Sequence, residues 1–314
     1  MQGISATLFR MALGLALLSL VVAEAAQQEP IRVQGIPGVV ADGAILEVIR
    51  SGFTDSEGPL PTPDGGLYFT EQRTNRIHRL HPSGEIAVFR ENTNAANGLA
   101  LDRNGNLLAA EGAGQRVTRM DSGGNLTVIA ASGGDGKAFL RPNDLIADSR
   151  GGIYVTDPGP GTNTEKAFVY YIHPDGRVVL VSDEIARPNG IQLTPDSKVL
   201  LVDDTRGNTV FAFDVRPDGS TGSKRSFAQL QGIPEGKTSI ADGMAVDTEG
   251  RLYVTTVTGI QIFTARGDYI ATIPPLQAQN LAFGGKDKRS LYITARGTLY
   301  RLPMVSQGPT RPGK

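Results

Sequence analysis

The sequence lacks cysteine and tryptophan entirely and contains only three histidines among its 314 residues. Without cysteine there can be no disulfide, no thiolate metal site and no lipid attached through cysteine, so the fold depends on its core alone. The scarcity of histidine argues against a histidine-rich zinc site. A strong charge of either sign is also missing, because 31 basic and 32 acidic residues give a formal net charge of −1. This balance gives no support to nucleic acid or an anionic membrane as a partner.

Long hydrophobic runs are scarce as well. An apolar run of about 13 residues spans residues 11–23, and it is shorter than the ~20 residues that a membrane-spanning helix needs. It follows Arg10 and precedes the small residue Ala25, which is the pattern of a secretory signal peptide. We predict a signal peptide over residues 1–26, with an uncleaved anchor as the alternative. We therefore expect an exported bacterial protein, either periplasmic or secreted, that is free of the membrane once the signal peptide is cleaved.

Sustained helical periodicity is absent, and the chain instead repeats a unit made of a glycine-, aspartate- and asparagine-rich turn, an alternating strand, a loop and further strands. The alternating strands begin at Leu67, Leu107, Ile153, Val199, Leu252 and Leu291. Repeats of about 40–50 residues with several strands each are typical of a β-propeller, because one small sheet cannot bury both of its faces alone. We predict an all-β fold, a six-bladed β-propeller over residues 43–304.

The sixth repeat is one strand short at its C-terminal end, and an apolar segment at residues 44–49 precedes the first repeat without a partner. We predict that this N-terminal strand pairs with the last blade and closes the ring, which removes an exposed sheet edge. Residues 27–42 form a separate N-terminal segment in this prediction, and residues 305–314 are predicted to be a disordered tail.

A polar residue stands in front of the innermost strand of every repeat, in most cases followed by glycine. These residues are Glu57, Asn97, Asn143, Asn189, Asp242 and Asn280. Because the blades are related by rotation, side chains at one structural position converge on one mouth of the central channel. Asn-Gly and Asp-Gly pairs are also common turn formers, so each pair alone could serve a turn. Glu57 is the least turn-like of the six.

Asparagine and carboxylate oxygens suit a hard cation such as Ca²⁺. A further carboxylate comes from Asp203 or Asp204, at the end of the alternating strand of the fourth repeat. Successive side chains of a strand point to opposite faces, so only one of the two can face inward. The residue pattern leaves the choice between them open.

The segments SGFTDSEGP, RPNDLIADSRGGIYVTD, RPNGIQLTPDSKVLLVDDT and ADGMAVDTEGRLYVTT follow one another along the chain. In them the sequence resembles the family of gluconolactonases, senescence marker protein (regucalcin) and luciferin-regenerating enzyme, over about residues 43–302. The resemblance implies a six-bladed propeller with one divalent cation at the channel mouth. This ion is commonly calcium, with Zn²⁺, Mg²⁺ or Mn²⁺ as alternatives.

The resemblance also implies roles for individual residues. The family's metal ligands map onto Glu57, Asn189 and Asp204. Asp203 is the rejected alternative, because the aspartate that precedes a hydroxyl residue fits the family's pattern. Asn143 matches an asparagine that touches substrate or metal, and Asn97 and Asp242 match pocket positions less closely.

On this basis we predict metal-dependent hydrolysis of a sugar lactone, with the cation polarising the lactone carbonyl and Asp204 acting as general base. Arg141 and Arg187 are predicted to hold a polar or anionic part of this small-molecule substrate, with surface ion pairs as an equal alternative. Two other functions stay open. One is organophosphate or aryl-ester hydrolysis at the same metal site, and the other is a non-enzymatic ligand-binding propeller. The sequence makes no prediction of the oligomeric state.

Overall fold

The computed structural model describes residues 30–161, 166–274 and 276–310. The predicted signal peptide, residues 1–26, lies outside these ranges, as do residues 311–314 of the predicted tail. Within them the chain consists almost entirely of strands, with one 3-10 helix at Gln72–Thr74. No helix in this part of the chain has the length and hydropathy needed to cross a membrane.

The strands of the described residues form six antiparallel sheets, which we call blades I to VI. Two strands precede the first blade, β1 (Ile31–Val33) and β2 (Ala44–Ser51). Blade I contains β3 (Ser56–Pro61), β4 (Leu67–Glu71), β5 (Arg76–Leu80) and β6 (Ile86–Glu91). Blade II contains β7 (Ala96–Leu101), β8 (Leu107–Glu111), β9 (Arg116–Met120) and β10 (Leu126–Ala130). Blade III contains β11 (Leu145–Ala147), β12 (Ile153–Asp157), β13 (Phe168–Ile172) and β14 (Val178–Ser182).

The remaining strands belong to blades IV to VI. Blade IV contains β15 (Pro188–Leu193), β16 (Val199–Asp204), β17 (Thr209–Asp214) and β18 (Arg225–Gln229). Blade V contains β19 (Met244–Val246), β20 (Leu252–Thr256), β21 (Gly259–Phe263) and β22 (Tyr269–Ile273). Blade VI contains β23 (Asn280–Gly284), β24 (Ser290–Ala295) and β25 (Thr298–Pro303), together with β2 and β1.

The blades are arranged as a closed ring around a central channel. The first strand of each blade contacts the first strand of the next, and β23 of blade VI contacts β3 of blade I. In blade VI, β2 pairs antiparallel with β25, so that Val48 lies opposite Tyr300. The predicted six-bladed propeller and its closure by the N-terminal strand are confirmed. The sequence analysis did not predict β1, which pairs with β2 and extends blade VI to five strands.

The hydrophobic core lies between the blades rather than on the axis. The buried apolar side chains of the described residues fall into six clusters, each built mainly from two neighbouring blades. Tyr253 of blade V, for example, packs edge-on against Phe283 of blade VI, with their ring centroids 5.1 Å apart. Each sheet therefore buries its two faces against two different neighbours, and the ring is stabilised as a unit.

The C-terminal residues 305–308 are bound to the body of the protein, although the sequence predicted a disordered tail from residue 305. The amides of Val305 and Ser306 donate to the carbonyl of Val39, and the amide of Gly308 donates to the carbonyl of Lys288. Backbone hydrogen bonds of this kind satisfy the main chain without any side-chain pattern. The polar, glycine- and proline-rich composition of the segment therefore gave no sign of them.

Candidate active site

Five of the predicted site residues lie at one end of the inner strands. Glu57, Asn97 and Asn189 belong to β3, β7 and β15, and their side chains are buried. A register shift follows each of them in the pairing with the second strand of the blade, and a bulge of this kind re-aims the side chain next to it. Asn143 and Asp242 stand shortly before β11 and β19 and are less deeply buried than these three. The five residues therefore share one end of the inner strands, and their role as a functional site stays a prediction.

Glycine follows four of the six polar positions because neighbouring inner strands approach each other closely there. The four are Gly58, Gly98, Gly190 and Gly243. A Cβ atom on Gly190 would lie 2.0 Å from the carbonyl oxygen of Asp242 in the next blade, and one on Gly58 would lie 2.1 Å from that of Asn97. Only glycine permits this approach. The glycines of the recurring polar–glycine pairs are therefore explained by contacts between strands, rather than by turns.

We expect Gly190→Ala to lower the free energy of unfolding by about 1–3 kcal/mol or more, because the added methyl group forces the inner strands of blades IV and V apart. Urea denaturation measures the change. Gly222→Ala is the matched control, since the atom nearest to its added methyl group would be the carbonyl oxygen of Asp214, at an ordinary 3.7 Å. Equal midpoints for the two variants would contradict the close approach.

Five carboxylates lie within electrostatic reach of one another at this mouth, those of Glu57, Asp242, Asp144, Asp203 and Asp55. Burial raises the pKa of Glu57 to about 7, although the Gly58 amide and the Asn280 side chain favour its charged form. Burial likewise raises the pKa of Asp242 well above its ordinary value, and the charges of Glu57 and Asp203 raise it further. Like charges held together away from water favour either protonation or a bound cation.

Two asparagine oxygens at the same mouth, Asn97 Oδ1 and Asn189 Oδ1, are buried and accept no hydrogen bond from any described residue. A buried amide oxygen without a donor is costly, and a cation would satisfy it. In residues 30–161, 166–274 and 276–310, no group of three or more histidine, aspartate or glutamate side chains could hold a metal by itself. The donor set is instead a mixture of carboxylate and amide oxygens, which is the chemistry that Ca²⁺ prefers.

Asp203 and Asp204 lie on opposite faces of β16, as strand alternation requires. Asp204 Oδ1 accepts hydrogen bonds from the backbone amides of Arg187 and Arg206, at 3.0 and 3.1 Å. Asp203 Oδ1 accepts the amide of Gly190 at 3.1 Å, and its charge acts on Asp242. Of the two aspartates, the structure brings Asp203 to the carboxylates at the mouth, whereas the sequence analysis had chosen Asp204.

The contacts of Asp204 recur at the same position in other blades. Asp157, the last residue of β12, accepts the amide of Arg141 at 2.6 Å, and Glu71, the last residue of β4, accepts the amide of Thr54 at 2.7 Å. In each case a carboxylate at the end of the second strand fixes the loop that enters the first strand of its own blade. Asp204 therefore occupies a loop-anchoring position.

Asp144 was missed as a site residue and Asp203 was set aside in favour of Asp204, although the repeats carried a signal for both. Four of the other blades have threonine at the position equivalent to Asp203. Thr156 Oγ1, for example, donates to the carbonyl of Asn189 in the next blade at 2.7 Å. Asp144 stands where four other blades have glycine. Aligning the repeats with one another would have revealed both residues as acidic exceptions.

A cavity of about 470 Å³ opens beside Asp242, between blades V and VI. Its walls include the side chains of Ile240, Val257 and Arg296. This volume is in the range of small-molecule sites. A larger cavity of about 650 Å³ is lined by the turns of blades I and VI at the opposite ends of the strands, so it is remote from the carboxylates.

The chain is similar to known proteins over most of its length. A family model described as SMP-30/Gluconolactonase/LRE-like region matches residues 56–297. The gluconolactonase of Zymomonas mobilis is 27% identical over 288 residues, which cover 82% of this chain and 80% of that protein. A gluconolactonase structure from Xanthomonas campestris has a TM-score of 0.77 and 28% identity, covering 88% of this chain and 96% of the other. Regucalcin from Agrobacterium tumefaciens, a calcium-binding protein, shares the fold with a TM-score of 0.74 and 23% identity, covering 86% and 97%. The chain belongs to the SMP-30/gluconolactonase/LRE-like family.

Proposed function

We propose that the protein is a lactonase, a carboxylic ester hydrolase that opens sugar lactones with the help of one divalent cation. Membership of the family and the similarity to gluconolactonases along most of the chain support lactone hydrolysis. The observation that carries the metal dependence is the set of oxygens at the channel mouth. Burial and then the charge of Glu57 raise the pKa of Asp242, and Asn189 Oδ1 is buried at the same mouth without a donor among the described residues.

Glu57, Asn189 and Asp242 are the proposed ligands, with Ca²⁺ as the preferred ion and Zn²⁺, Mg²⁺ or Mn²⁺ as competitors. Asp242 takes the place that the sequence analysis gave to Asp204, because two backbone amides already occupy Asp204 Oδ1. An ion held by these ligands would supply a Lewis acid for the lactone carbonyl and for the negative charge that develops on its oxygen.

Asp242 is also the proposed general base. Its carboxylate accepts a proton from the water molecule that attacks the lactone carbonyl carbon, and it returns this proton to the ring oxygen as the bond between that oxygen and the carbonyl carbon breaks. The support for this role is the position of Asp242 at the mouth, within electrostatic reach of Glu57 and Asp203, since a general base has to lie close to the proton that it accepts. Asn97, Asn143 and Arg141 are the proposed contacts for the polar groups of the substrate.

The test is hydrolysis of D-glucono-δ-lactone by the full-length protein, followed in a pH-stat. We expect turnover with Ca²⁺, loss of turnover after chelation with EDTA, and recovery when Ca²⁺ is added back, since the ion supplies the electrophile. An aryl ester and a phosphotriester assayed in parallel separate the esterase and organophosphate-hydrolase alternatives. If Ca²⁺-saturated protein hydrolyses none of the three, the proposal fails and a binding propeller is left.

A further inference from the structure

Arg141 and Arg187 are fixed at the channel mouth, each two residues before an asparagine of the candidate site. The backbone of each is held by the aspartate that ends the second strand of its blade. Asp157 Oδ1 accepts the amide of Arg141 at 2.6 Å, and Asp204 Oδ1 accepts the amide of Arg187 at 3.0 Å. Blades III and IV therefore present two arginines at equivalent positions, side by side on the same part of the mouth.

Neither guanidinium group forms an ion pair with a carboxylate of the described residues. Arg187 Nη1 donates to the carbonyl of Pro158, at 3.4 Å, and the side chain of Arg141 is exposed. Arg206 Nη2 donates to the carbonyl of Gly161 at 3.2 Å, within the same segment that follows β12. The hydrogen bond of Arg187 to a neutral backbone carbonyl orients its side chain without cancelling its charge. Together with the exposure of Arg141, it speaks against the alternative that Arg141 and Arg187 only form surface ion pairs.

Positive charge is concentrated on this side of the mouth. Burial and then the charge of Arg206 lower the pKa of Arg187, and Arg141 adds to the effect. The negative charge of Asp242 raises the pKa of Arg187 in turn, so Arg187 lies within electrostatic reach of the proposed base. Guanidinium groups match carboxylate and phosphate oxygens in a fixed two-point geometry. A neutral sugar ring has no group that needs two such cations.

We infer that the lactone substrate carries an anionic group, a carboxylate or a phosphate, and that Arg141 and Arg187 bind this group while the lactone carbonyl faces Glu57, Asn189 and Asp242. This inference rests on the proposed lactonase function and adds the class of substrate. The anionic end is held by blades III and IV. The reacting end then lies over the oxygens contributed by blades I, IV and V.

The experiment compares kcat/KM for three lactones with the Ca²⁺-saturated full-length protein. D-Glucaro-1,4-lactone carries a carboxylate, 6-phospho-D-glucono-δ-lactone carries a phosphate, and D-glucono-δ-lactone is neutral. We expect at least one anionic lactone to be preferred by about tenfold or more, since hydrogen bonds to charged groups are the stronger class. The preference should shrink as salt is added, because the arginines are partly exposed.

Substitutions assign the preference to the arginines. Arg187→Gln should lower the ratio of anionic to neutral kcat/KM by about tenfold, the double change with Arg141→Gln should lower it further, and Arg187→Lys should retain part of it. Arg216→Gln is the matched control. Arg216 belongs to the same blade but bonds to Ser220 and Thr221 in the turn between β17 and β18, at the opposite end of the strands, so the ratio should stay at the wild-type value.

The outcomes separate this inference from the function on which it rests. A wild-type protein that opens the neutral lactone with no preference for either anionic one overturns the inference and leaves the lactonase function standing. A preference that survives both glutamine substitutions also overturns it. If no lactone is opened, the proposed function fails first and the inference fails with it. A preference for one anionic lactone alone supports the inference and identifies the group as carboxylate or phosphate.

Discussion

Replacing Asp242 with asparagine is expected to lower kcat/KM for a sugar lactone by about 10²–10⁴-fold, the usual contribution of a positioned general base. Asparagine keeps the shape of the side chain but cannot accept the proton of the attacking water. It also removes one of the negative charges that favour a cation beside Glu57. Calcium affinity, measured by isothermal titration calorimetry, should therefore fall in the same variant.

Asp204→Asn is the matched control for this prediction, because Asp204 lies on the other face of β16 from Asp203 and holds the amides of Arg187 and Arg206. We expect it to loosen the entry loop, to raise KM more than it lowers kcat, and to leave calcium affinity close to that of the wild type. If Asp204→Asn abolishes turnover and calcium binding while Asp242→Asn retains them, the ligand and base roles return to Asp204.

Glu57→Gln is expected to make the calcium-free protein more stable at pH 8 and the calcium-saturated protein less stable than the wild type. The pKa of Glu57 is about 7 in the folded protein against an ordinary 4.5. Glu57 therefore stays protonated to a higher pH in the folded state than in the unfolded state. As a result, the contribution of Glu57 to stability falls as the pH rises from about 4.5 to 7. Above this range the charged carboxylate costs at most about 3 kcal/mol, and glutamine removes that cost.

Calcium is expected to reverse the order of stability of the wild type and Glu57→Gln. At a calcium concentration of 100 times Kd, binding adds about 2.7 kcal/mol to the free energy of unfolding, and a variant that has lost a ligand gains less. Thermal melts of both proteins at pH 8 and pH 4, with Ca²⁺ and with EDTA, measure the effect of pH and the effect of calcium on stability. Glu91→Gln is the control, because the exposed pair of Glu91 with Arg76 is worth about 0–1 kcal/mol. The same order of stability for wild type and Glu57→Gln in all four conditions would remove Glu57 from the metal site.

The fold was predictable because its signals are local and repeat six times. Alternation of apolar and polar residues between glycine-rich turns fixes each second strand. Five of these strands begin where the sequence places them, and the sixth begins at Ser290, one residue before the predicted Leu291. Closure by residues 44–49 followed from the need to cover a sheet edge. The short strand β1 has only three residues, too few for a periodic pattern.

The site was predictable only in part, because its chemistry depends on relations between blades. Rotation of one repeat into the next places Glu57 and Asn189 at equivalent positions, and counting along the sequence is enough to find them. The choice between Asp203 and Asp204 depends on which face of β16 meets the next blade, and the prominence of Asp242 depends on burial and on the charge of Glu57. Neither is encoded in the spacing of residues along one strand.

The pairing of β2 with β25 joins the two ends of the propeller, and this has a consequence during synthesis. A nascent chain that has reached blade V still lacks β23, β24 and β25, so the face of blade I that carries Leu67 and Phe69 has no neighbour, and β2 offers a bare edge. Such surfaces attract other chains and proteases until the last strands emerge. Premature termination before β25 therefore leaves the ring open, although five blades are complete.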